Sequence, residues 1–357
     1  MTGWETHIES VALPRKGQRV FVWGAGNTAR LAHEGMKREG LYEALGIEGF
    51  VDRAQAGHTL FGFPVRHPDA LPPDAFVLIC TANPAVLREI DAELNRMNLR
   101  HCPLEAAILK LRWNEALHAA ALLDEDSRKI YHRLLLNRLT LDPVPPELYQ
   151  GESYFGIPEF CISRHDDVII DCGAYVGDSA ERFIWRMDKF RHIIALEPDV
   201  DNFHALQKRF ARLREEWNFP ADKIIGLCAG TDAATCKKNI ESHVGGLSSI
   251  AVEASGSTTF WALDDLVRQI PEAQRPTFIK ADIESYEYRM LSGAKETLRT
   301  YKPRLAICIY HNMVDMYSIP LLIHSIEPGY RFAVRHHSYG CEETVLYAFA
   351  DPAKARP

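Results

Sequence analysis

The stretch VIIDCGAYVG, Val168 to Gly177, decides the fold, and the rest of the chain is interpreted around it. Its first three residues form a short apolar run of the kind that a buried parallel strand needs. Asp171 ends this run, and Gly173 and Gly177 follow in a turn that leads into a helical pattern. A strand, a glycine turn and a helix start form the first crossing of a nucleotide-binding α/β unit, where glycines let a ligand lie against bare backbone.

The carboxylate of Asp171 indicates which ligand this turn binds. Dinucleotide turns place a pyrophosphate over the glycines, and a carboxylate directly before the turn would repel it. A cationic ligand reverses the sign of that interaction, and S-adenosylmethionine (SAM) carries a sulfonium and an ammonium group. The pattern favours SAM over a dinucleotide, while a glycine turn that binds nothing remains the structural alternative.

A second acidic residue ends the next predicted strand, which runs from His192 to Glu197. Glu197 follows Asp171 by 26 residues, close to the roughly 20 residues expected for an acid that binds ribose hydroxyls. Asp199 and Asn202 then begin another helix. The order of turn and acid predicts a site for a nucleoside-containing ligand.

The N-terminal region contains a comparable unit, with a strand, RVFVW, that ends at Trp23 and leads into a G-x-G-x-x-A turn. A second strand ends in an aspartate 26 residues after the second glycine of this turn, a spacing that suits a ribose. Because Trp23 and not a carboxylate precedes the turn, a pyrophosphate would not be repelled. The region is predicted to bind a nucleotide or NAD, or else only to pack. The candidate binding residues are Gly24, Gly26, Asn27 and Asp52.

Residues 104–141 have the amphipathic pattern of helices, and Asp124–Ser127 are predicted to break them into two. The proline cluster of residues 141–149 is the candidate boundary segment. We interpret this region as a helical bridge between two α/β domains. Protomers often pair at such a bridge, so a homo-oligomer is an open expectation.

Composition limits the function classes. A chain of 357 residues suits two domains, and 46% hydrophobic with 25% charged residues is ordinary for a globular protein. The net charge of −7 and the lack of a basic run argue against a nucleic-acid partner. The sequence contains no apolar stretch long enough for a bilayer and no signal-peptide pattern. Eight cysteines without C-x-x-C pairs indicate neither zinc nor disulfides, which favours the cytoplasm.

Acidic residues also follow a later strand, in TFIKADIESY, Thr277 to Tyr286. Lys280, Asp282 and Glu284 alternate along it, so an extended strand would place them on one face. Ligand groups gather at the carboxyl ends of strands in such sheets, and we expect Asp282 and Glu284 in the crevice.

Two further patterns complete the C-terminal half. Residues 231–258 are rich in Ser, Thr and Gly, which predicts a long polar loop that is either a mobile substrate cover or a surface insertion. Residues 330–336 and 343–350 are predicted to form a terminal β-hairpin.

The segments VIIDCGAYVGDS, ALEPDVDNF, FIKADIES and YKPRLAICIYH, with the hairpin, resemble the FkbM family of SAM-dependent methyltransferases over residues 125–350. The resemblance implies a class I methyltransferase fold, SAM as cofactor, and methylation of a hydroxyl on a sugar, glycan or related metabolite. Ser285 stands where the family more often has glycine. The N-terminal half, through GFVD and FGFPV, is similar to nucleotide-binding domains of polysaccharide-biosynthesis proteins, so a sugar nucleotide is a further possible acceptor.

The chain is therefore predicted to be α/β, with a Rossmann-like nucleotide-binding domain at 1–103, a helical bridge at 104–150 and a methyltransferase domain at 151–357. Histidines and carboxylates near the predicted crevice are the catalytic candidates, because a sugar hydroxyl needs a group that positions or deprotonates it. These are Asp282, Glu284, His311 and His337. The SAM-binding candidates are Asp171, Gly173, Ala174, Tyr175, Gly177, Asp178, Ser179, Glu197, Pro198, Asp199, Asn202, Ala229 and Asp282.

Three alternatives stay open. Asp282, Glu284 and His311 also suit a divalent metal ion, which would make the reaction metal-dependent. An NAD-linked oxidoreductase built on the N-terminal turn lacks visible hydride-transfer partners. A non-catalytic protein that binds a nucleotide or sugar nucleotide is the third alternative.

Overall fold

Two α/β units, each built on a mainly parallel sheet, follow one another in the computed structural model, which describes residues 3–140, 144–242, 249–252 and 256–350. This confirms the predicted α/β class. Among the residues described, no helix is long and apolar enough to cross a membrane. The domain boundaries given above stay predictions.

The N-terminal sheet has the strand order β3-β4-β2-β1-β5-β6. The central strand β1 is buried along its whole length, as expected for an apolar run covered on both faces. The last strand, β6, has no counterpart in the sequence prediction. The strands are β1 (Val20–Trp23), β2 (Ile47–Val51), β3 (Thr59–Leu60), β4 (Phe63–Arg66), β5 (Phe76–Ile79) and β6 (Arg100–Pro103), and the helices are α1 (Gly3–Ser10), α2 (Asn27–Arg38), α3 (Leu41–Leu45) and α4 (Pro84–Arg96).

The bridge contains three helices where two were predicted, α5 (Leu104–Leu111), α6 (Trp113–Leu122) and α7 (Glu125–Thr140). The predicted break at Asp124 is confirmed, because its carboxylate accepts a hydrogen bond from Ser127 N (2.8 Å) at the start of α7. A further break lies at Arg112, between α5 and α6. The apolar residues on both sides keep helical spacing, so the sequence does not indicate this break. Residues 141–143 of the predicted boundary segment lie outside the described residues.

The C-terminal unit has a seven-stranded sheet of order β16-β17-β15-β14-β7-β8-β9 and a separate four-stranded sheet of order β10-β13-β11-β12. The strand order reverses between β7 and β14, and ligands bind outside the carboxyl ends of strands at such a switch point. Its antiparallel strands β16 and β17 are the predicted terminal hairpin. The strands are β7 (Val168–Cys172), β8 (His192–Leu196), β9 (Ile224–Leu227), β10 (Ala229–Thr231), β11 (Cys236–Ser242), β12 (Ser249–Val252), β13 (Thr258–Trp261), β14 (Phe278–Ala281), β15 (Arg304–Cys308), β16 (Tyr330–His336) and β17 (Thr344–Ala350).

The helices of this unit correct part of the prediction. The sequence YEYRMLSGAKETLRTY, residues 286–301, predicts one helix with Gly293 inside it, but the structure has two helices separated at this glycine. The long apolar helix α13 was not predicted. The helices are α8 (Asp178–Arg186), α9 (Val200–Glu216), α10 (Leu263–Gln269), α11 (Glu287–Ser292), α12 (Lys295–Tyr301) and α13 (Met313–Ile326).

The region predicted as a long polar loop, residues 231–258, contains strands β11 and β12, so a loop over its whole length is wrong. Lys237 and Asn239 of β11 are exposed and Lys238 between them is buried, as expected for a strand with one face open to water. Residues 243–248 and 253–255 of that region lie outside the described residues.

The two units share one apolar core, which continues from the N-terminal sheet through the bridge to the C-terminal sheet. Helix α13 contacts α2, α5 and α6. Polar contacts join the units too: Arg289 pairs with Glu34 (3.1 Å) and Arg38 with Asp315 (3.6 Å). As a result, the carboxyl-end residues of β5 and the segment after β15 border the same cavity.

Candidate functional site

A cavity of about 260 Å³ lies at the switch point of the C-terminal sheet. The ends of β7, β8 and β14 and the start of α8 contribute to its wall, which is where the turn and the acid were predicted to meet. Eight of the predicted SAM-binding residues line it: Gly173, Tyr175, Asp178, Ser179, Glu197, Pro198, Asn202 and Asp282. We call it the donor cavity, after the methyl donor that the sequence pattern predicts there.

Asp171 does not present a free carboxylate to the donor cavity, and that prediction is wrong. Its side chain is fully buried, pairs with Lys280 Nζ at 3.0 Å and accepts a hydrogen bond from Ser179 Oγ at 2.6 Å. Lys280 Nζ also donates to the carbonyl oxygens of Gly173 (2.6 Å) and Cys172 (3.3 Å). The charge of Asp171 therefore neutralises a buried lysine and fixes the turn, and it does not select a cationic ligand.

The glycine at position 173 is required by the close approach of the turn to β14. Its φ is +76°, and a Cβ placed there would collide with the carbonyl oxygen of Asp282. Only glycine adopts this backbone conformation readily at such a contact. The turn and the acidic tip of β14 are thus held against one another.

Glu197 lies in the cavity wall, held by backbone hydrogen bonds. One carboxylate oxygen accepts from Tyr175 N (2.9 Å) and the other from Asp199 N (3.0 Å). Burial raises the pKa of Glu197 to about 7. A carboxylate in this position suits a pair of ribose hydroxyls, each of which can donate to a remaining lone pair.

Five predicted SAM-binding residues lie behind the wall and not in it. Asp171 has been described, Ala174 and Ala229 are buried, Gly177 precedes α8 with φ +83°, and Asp199 caps α9 by accepting from Asp201 N and Asn202 N. Gly230 and Thr231 replace Ala229 as cavity residues. These positions shape the site without facing its interior.

A charged cluster stands beside the donor cavity. Nε2 of His311 lies 3.3 Å from Asp282 Oδ1, and its Nδ1 lies 3.2 Å from Glu287 Oε1. Burial by itself would lower the pKa of His311, but the carboxylates of Glu287 and Asp282 outweigh it and raise the pKa well above its ordinary value. Burial alone would likewise raise the pKa of Asp282, whereas His311 lowers it. The two carboxylates therefore favour the charged form of the imidazole over the neutral form that could act as a base.

Glu284 does not share a strand face with Lys280 and Asp282, and the expectation that it does is wrong. Strand β14 ends at Ala281, and Glu284 and Ser285 have φ angles of +54° and +73°. Non-glycine residues adopt this left-handed backbone rarely, often at functional sites. Burial raises the pKa of Glu284 to about 7, so its carboxylate exchanges a proton near neutral pH.

The structure groups a different set of possible metal ligands from the predicted one, with Glu287 in place of Glu284. Among the described residues, Asp282, Glu287 and His311 place one ligand atom each within 4.8 Å of one another, whereas Glu284 is not part of that group. The donor types suit a divalent cation. Both nitrogens of His311 already face carboxylates, so the imidazolium supplies positive charge to the same group.

His337 lies on another side of Asp282, in a polar recess that Glu343 also lines. Its Nδ1 bonds to the carbonyl oxygen of Gln150 (2.6 Å), so this nitrogen carries the proton, and Nε2 accepts from Tyr347 OH (2.9 Å). Burial lowers the pKa of His337 to about 4. Both ring nitrogens therefore have hydrogen-bond partners within the protein, which is a structural role. A catalytic role of His337 stays a prediction.

A second cavity, of about 340 Å³, lies between the two units. The start of α2, the end of β5, helix α5 and residues 310–314 contribute to it. Glu284 and Tyr310 line both this interdomain cavity and the donor cavity. His311 lines the interdomain cavity.

In the N-terminal unit, the side chain of Asp52 is hydrogen-bonded to the backbone of the glycine turn. Asp52 Oδ2 accepts a hydrogen bond from Ala25 N (3.1 Å), and Oδ1 accepts from Ala54 N and Gln55 N. Of the candidate nucleotide residues, Asn27 lines the interdomain cavity, whereas Gly24 packs against Cys80. Nucleotide binding through Gly24, Gly26, Asn27 and Asp52 stays a prediction.

Sequence reasoning missed several donor-cavity residues. Some come from segments distant in sequence from the recognised motifs. Others stand next to a candidate residue, and Tyr310, directly before His311, is an example. These are Tyr154, Gly230, Thr231, Ile240, Phe260, Ile283, Tyr286, Tyr310 and Glu343. The strand end at Tyr310 was the one available signal, since side chains just beyond a parallel strand face the crevice.

Residues 171–332 match the model of the methyltransferase FkbM domain. No sequence among the curated proteins matches the chain. The matched range includes the charged cluster and most of the residues that line the donor cavity, but Tyr154 and Glu343 lie outside it.

Among solved structures, the chain is similar to a methyltransferase FkbM from Methylobacillus flagellatus KT, at 22% identity and a TM-score of 0.57, over 98% of this chain and 94% of that one. This likeness concerns the fold. Two structures are more distant. One is an rRNA methylase from Streptococcus thermophilus (10% identity, TM-score 0.33, 53% of this chain and 89% of that one), and the other is an Aeropyrum pernix fibrillarin with bound S-adenosyl-L-methionine (12% identity, TM-score 0.35, 54% of this chain and 70% of that one).

Proposed function

We propose, from the premise that residues 171–332 form a methyltransferase FkbM domain, that this protein transfers the methyl group of SAM to the hydroxyl oxygen of a small molecule of the sugar or glycan type. The observation that carries the proposal is the position of Glu284 in the wall between two cavities. One cavity has the features of a donor site, and the other is open to an acceptor.

The order of groups along the strand tips supports binding of the methyl donor in the donor cavity. Glu197 would accept hydrogen bonds from the ribose hydroxyls, and the Gly173 turn lets the ligand lie against backbone. The apolar side chains of Ile240 and Phe260 offer a surface for the adenine ring. Asp178 and Asp282 supply negative charge for the ammonium and sulfonium groups.

The transfer is an in-line displacement in which the acceptor oxygen forms a bond to the methyl carbon while the carbon–sulfur bond breaks. The hydroxyl proton passes to the Glu284 carboxylate, and S-adenosylhomocysteine (SAH) leaves as a neutral thioether. Holding the oxygen behind the methyl group can contribute about 7–11 kcal/mol. A positioned base adds roughly 10²–10⁴-fold.

The surroundings of the two carboxylates shift their pKa values in opposite directions, down for Asp282 and up for Glu284. Tyr310 OH donates to Asp282 Oδ1 (3.2 Å) and Tyr154 OH lies 3.4 Å from Oδ2, so Asp282 stays ionised beside His311. Glu284 is 3.8 Å from the same imidazole. A divalent ion on Asp282, Glu287 and His311 would polarise the acceptor oxygen. The proposal needs none, because His311 holds a positive charge there.

The pH dependence of kcat tests the role of Glu284. A base must be deprotonated, and a pKa of about 7 means that kcat should rise about tenfold per pH unit below that value and level off above it. Methyl transfer to an octyl glycoside, followed from about pH 5.5 to about pH 9 with saturating SAM, measures this. Saturating donor separates the effect from Glu197, whose pKa is also about 7. A kcat that stays flat across this range would contradict the assignment.

The NAD-linked alternative has no observation in its favour. The carboxylate of Asp52 accepts a hydrogen bond from Ala25 N and adds negative charge at the turn, which disfavours a pyrophosphate there. A sensor without catalysis would not need a carboxylate with a near-neutral pKa between two cavities.

A further inference from the structure

The interdomain cavity connects the N-terminal unit to the donor cavity. On the N-terminal side it is lined by Asn27, Thr28 and Ala82, at the carboxyl end of that sheet. On the other side it reaches Glu284 and Tyr310, which also line the donor cavity. A molecule bound between the two units therefore faces the base and the methyl group.

The lining of this cavity is mainly apolar. Leu31, Ile79, Leu104, Ile108 and Val314 are among its residues, and Asn27 and Thr28 offer side-chain hydrogen bonds. Cavities that bind small molecules combine an apolar lining with a few placed polar groups. This lining suits a ligand that has both an apolar portion and hydroxyl groups.

The charged groups that line the interdomain cavity disfavour binding of a phosphate group. Two cations stand among its lining residues, all of which are described, and both are already paired. Arg138 bonds to Glu105 (2.6 Å) and to the carbonyl oxygen of Tyr310 (2.6 Å), and His311 lies between Asp282 and Glu287. Glu284 and Glu342 add further carboxylates to the wall. A diphosphate would enter without a free cation to compensate it.

One backbone donor of the glycine turn in the N-terminal unit is used internally. Asp52 Oδ2 accepts from Ala25 N, so a carboxylate of the protein stands beside the turn and adds negative charge there. The turn keeps its shape and its place at the sheet edge. What it offers to the interdomain cavity is the neutral surface of Asn27 and Thr28.

We infer that the N-terminal unit is the acceptor-binding half of the enzyme, and that the interdomain cavity selects neutral, partly apolar hydroxyl compounds over nucleoside-diphosphate sugars. This inference rests on the methyl transfer proposed above. It gives the Rossmann-like N-terminal unit a function other than nucleotide binding.

Methyl transfer to paired acceptors tests the inference. Octyl glycosides of glucose, mannose and rhamnose are compared with the nucleoside-diphosphate form of each sugar, using radiolabelled SAM and wild-type protein. Ala82→Trp places a large ring at the cavity wall, and Ala92→Trp puts the same ring on an exposed site of α4 outside it. SAH affinity is measured by calorimetry for all three proteins.

We expect methylation of at least one octyl glycoside, with no transfer to its nucleoside-diphosphate counterpart and no inhibition by it. Ala82→Trp should lower kcat/KM for the glycoside about 10- to 100-fold, because a misplaced acceptor loses alignment. Ala92→Trp should match wild type, and SAH affinity should be equal in all three. Preference for the nucleoside-diphosphate sugar, equal activity of the two tryptophan variants, or SAH binding without any glycoside methylation would each overturn the inference. Failure of wild-type protein to bind SAH would instead overturn the proposed function.

Discussion

Glu284→Gln is expected to lower kcat about 100- to 10,000-fold while leaving SAH affinity nearly unchanged. Glutamine keeps the size of the side chain but cannot accept the hydroxyl proton. The carboxylate stands in the wall shared by the donor and interdomain cavities, with a pKa raised by burial to about 7. Single-turnover methylation of an octyl glycoside that the wild-type enzyme accepts measures the chemical step.

The matched control for this variant is Glu342→Gln. Glu342 also lines the interdomain cavity but does not line the donor cavity, so the same substitution should leave kcat within about threefold of wild type. Retention of wild-type kcat by Glu284→Gln would remove it from the mechanism and make Asp282, which lines the donor cavity, the next candidate. Comparable losses in both variants would point to the charge of the cavity as a whole.

Lys280→Met is expected to lower the free energy of unfolding by about 3–5 kcal/mol, because it leaves the Asp171 carboxylate buried without its cation. The side chains of Asp171 and Lys280 are 0% and 2% exposed, and their charged atoms are 3.0 Å apart. The substitution also removes the donor to the carbonyl oxygens of Cys172 and Gly173. Urea unfolding followed by circular dichroism measures the loss.

The double variant Asp171→Asn with Lys280→Met separates the charge from the packing. Removing both charges takes away the unpaired carboxylate, and the amide oxygen of the substituted side chain can still accept the hydrogen bond from Ser179. We therefore expect the double variant to regain at least about half of the stability that Lys280→Met loses. A single variant that costs less than about 1 kcal/mol would mean that water reaches Asp171 and that the pair contributes little.

The fold was predictable because its signals are local. The apolar run at Val168 and the glycine turn that follows it define a strand and a helix start within ten residues. The terminal hairpin and the acid at Glu197 were found for the same reason. Helix α13 was missed, because an apolar sequence without strong periodicity does not distinguish a buried helix from other buried segments.

The site was predictable in its members and not in its electrostatics. Asp171 was recognised as the acid before the turn, but its partner Lys280 lies 109 residues later, and no local pattern reports that pairing. Glu284 was expected to face the crevice from a strand. It is near the crevice because a left-handed turn directs it there, and single-sequence patterns do not predict such a backbone at a glutamate.

The interdomain cavity depends on how the two units pack. Thr28 and Ala82 belong to the N-terminal unit, and their position near Glu284 follows from the packing of α13 against α2. Residues far apart in sequence meet there only in the folded chain. The two units are recognisable from the sequence, whereas the cavity between them is not.

Calorimetric titration of wild-type protein and Glu197→Gln with SAH tests the central claim, that the switch-point cavity of the C-terminal sheet binds the methyl donor. We expect one SAH per wild-type chain and about tenfold or greater weakening in Glu197→Gln, because hydrogen bonds to a charged group contribute about 1.5–3 kcal/mol. NAD should give no heat of binding. Binding of NAD without binding of SAH, or equal SAH affinity in both proteins, would contradict it.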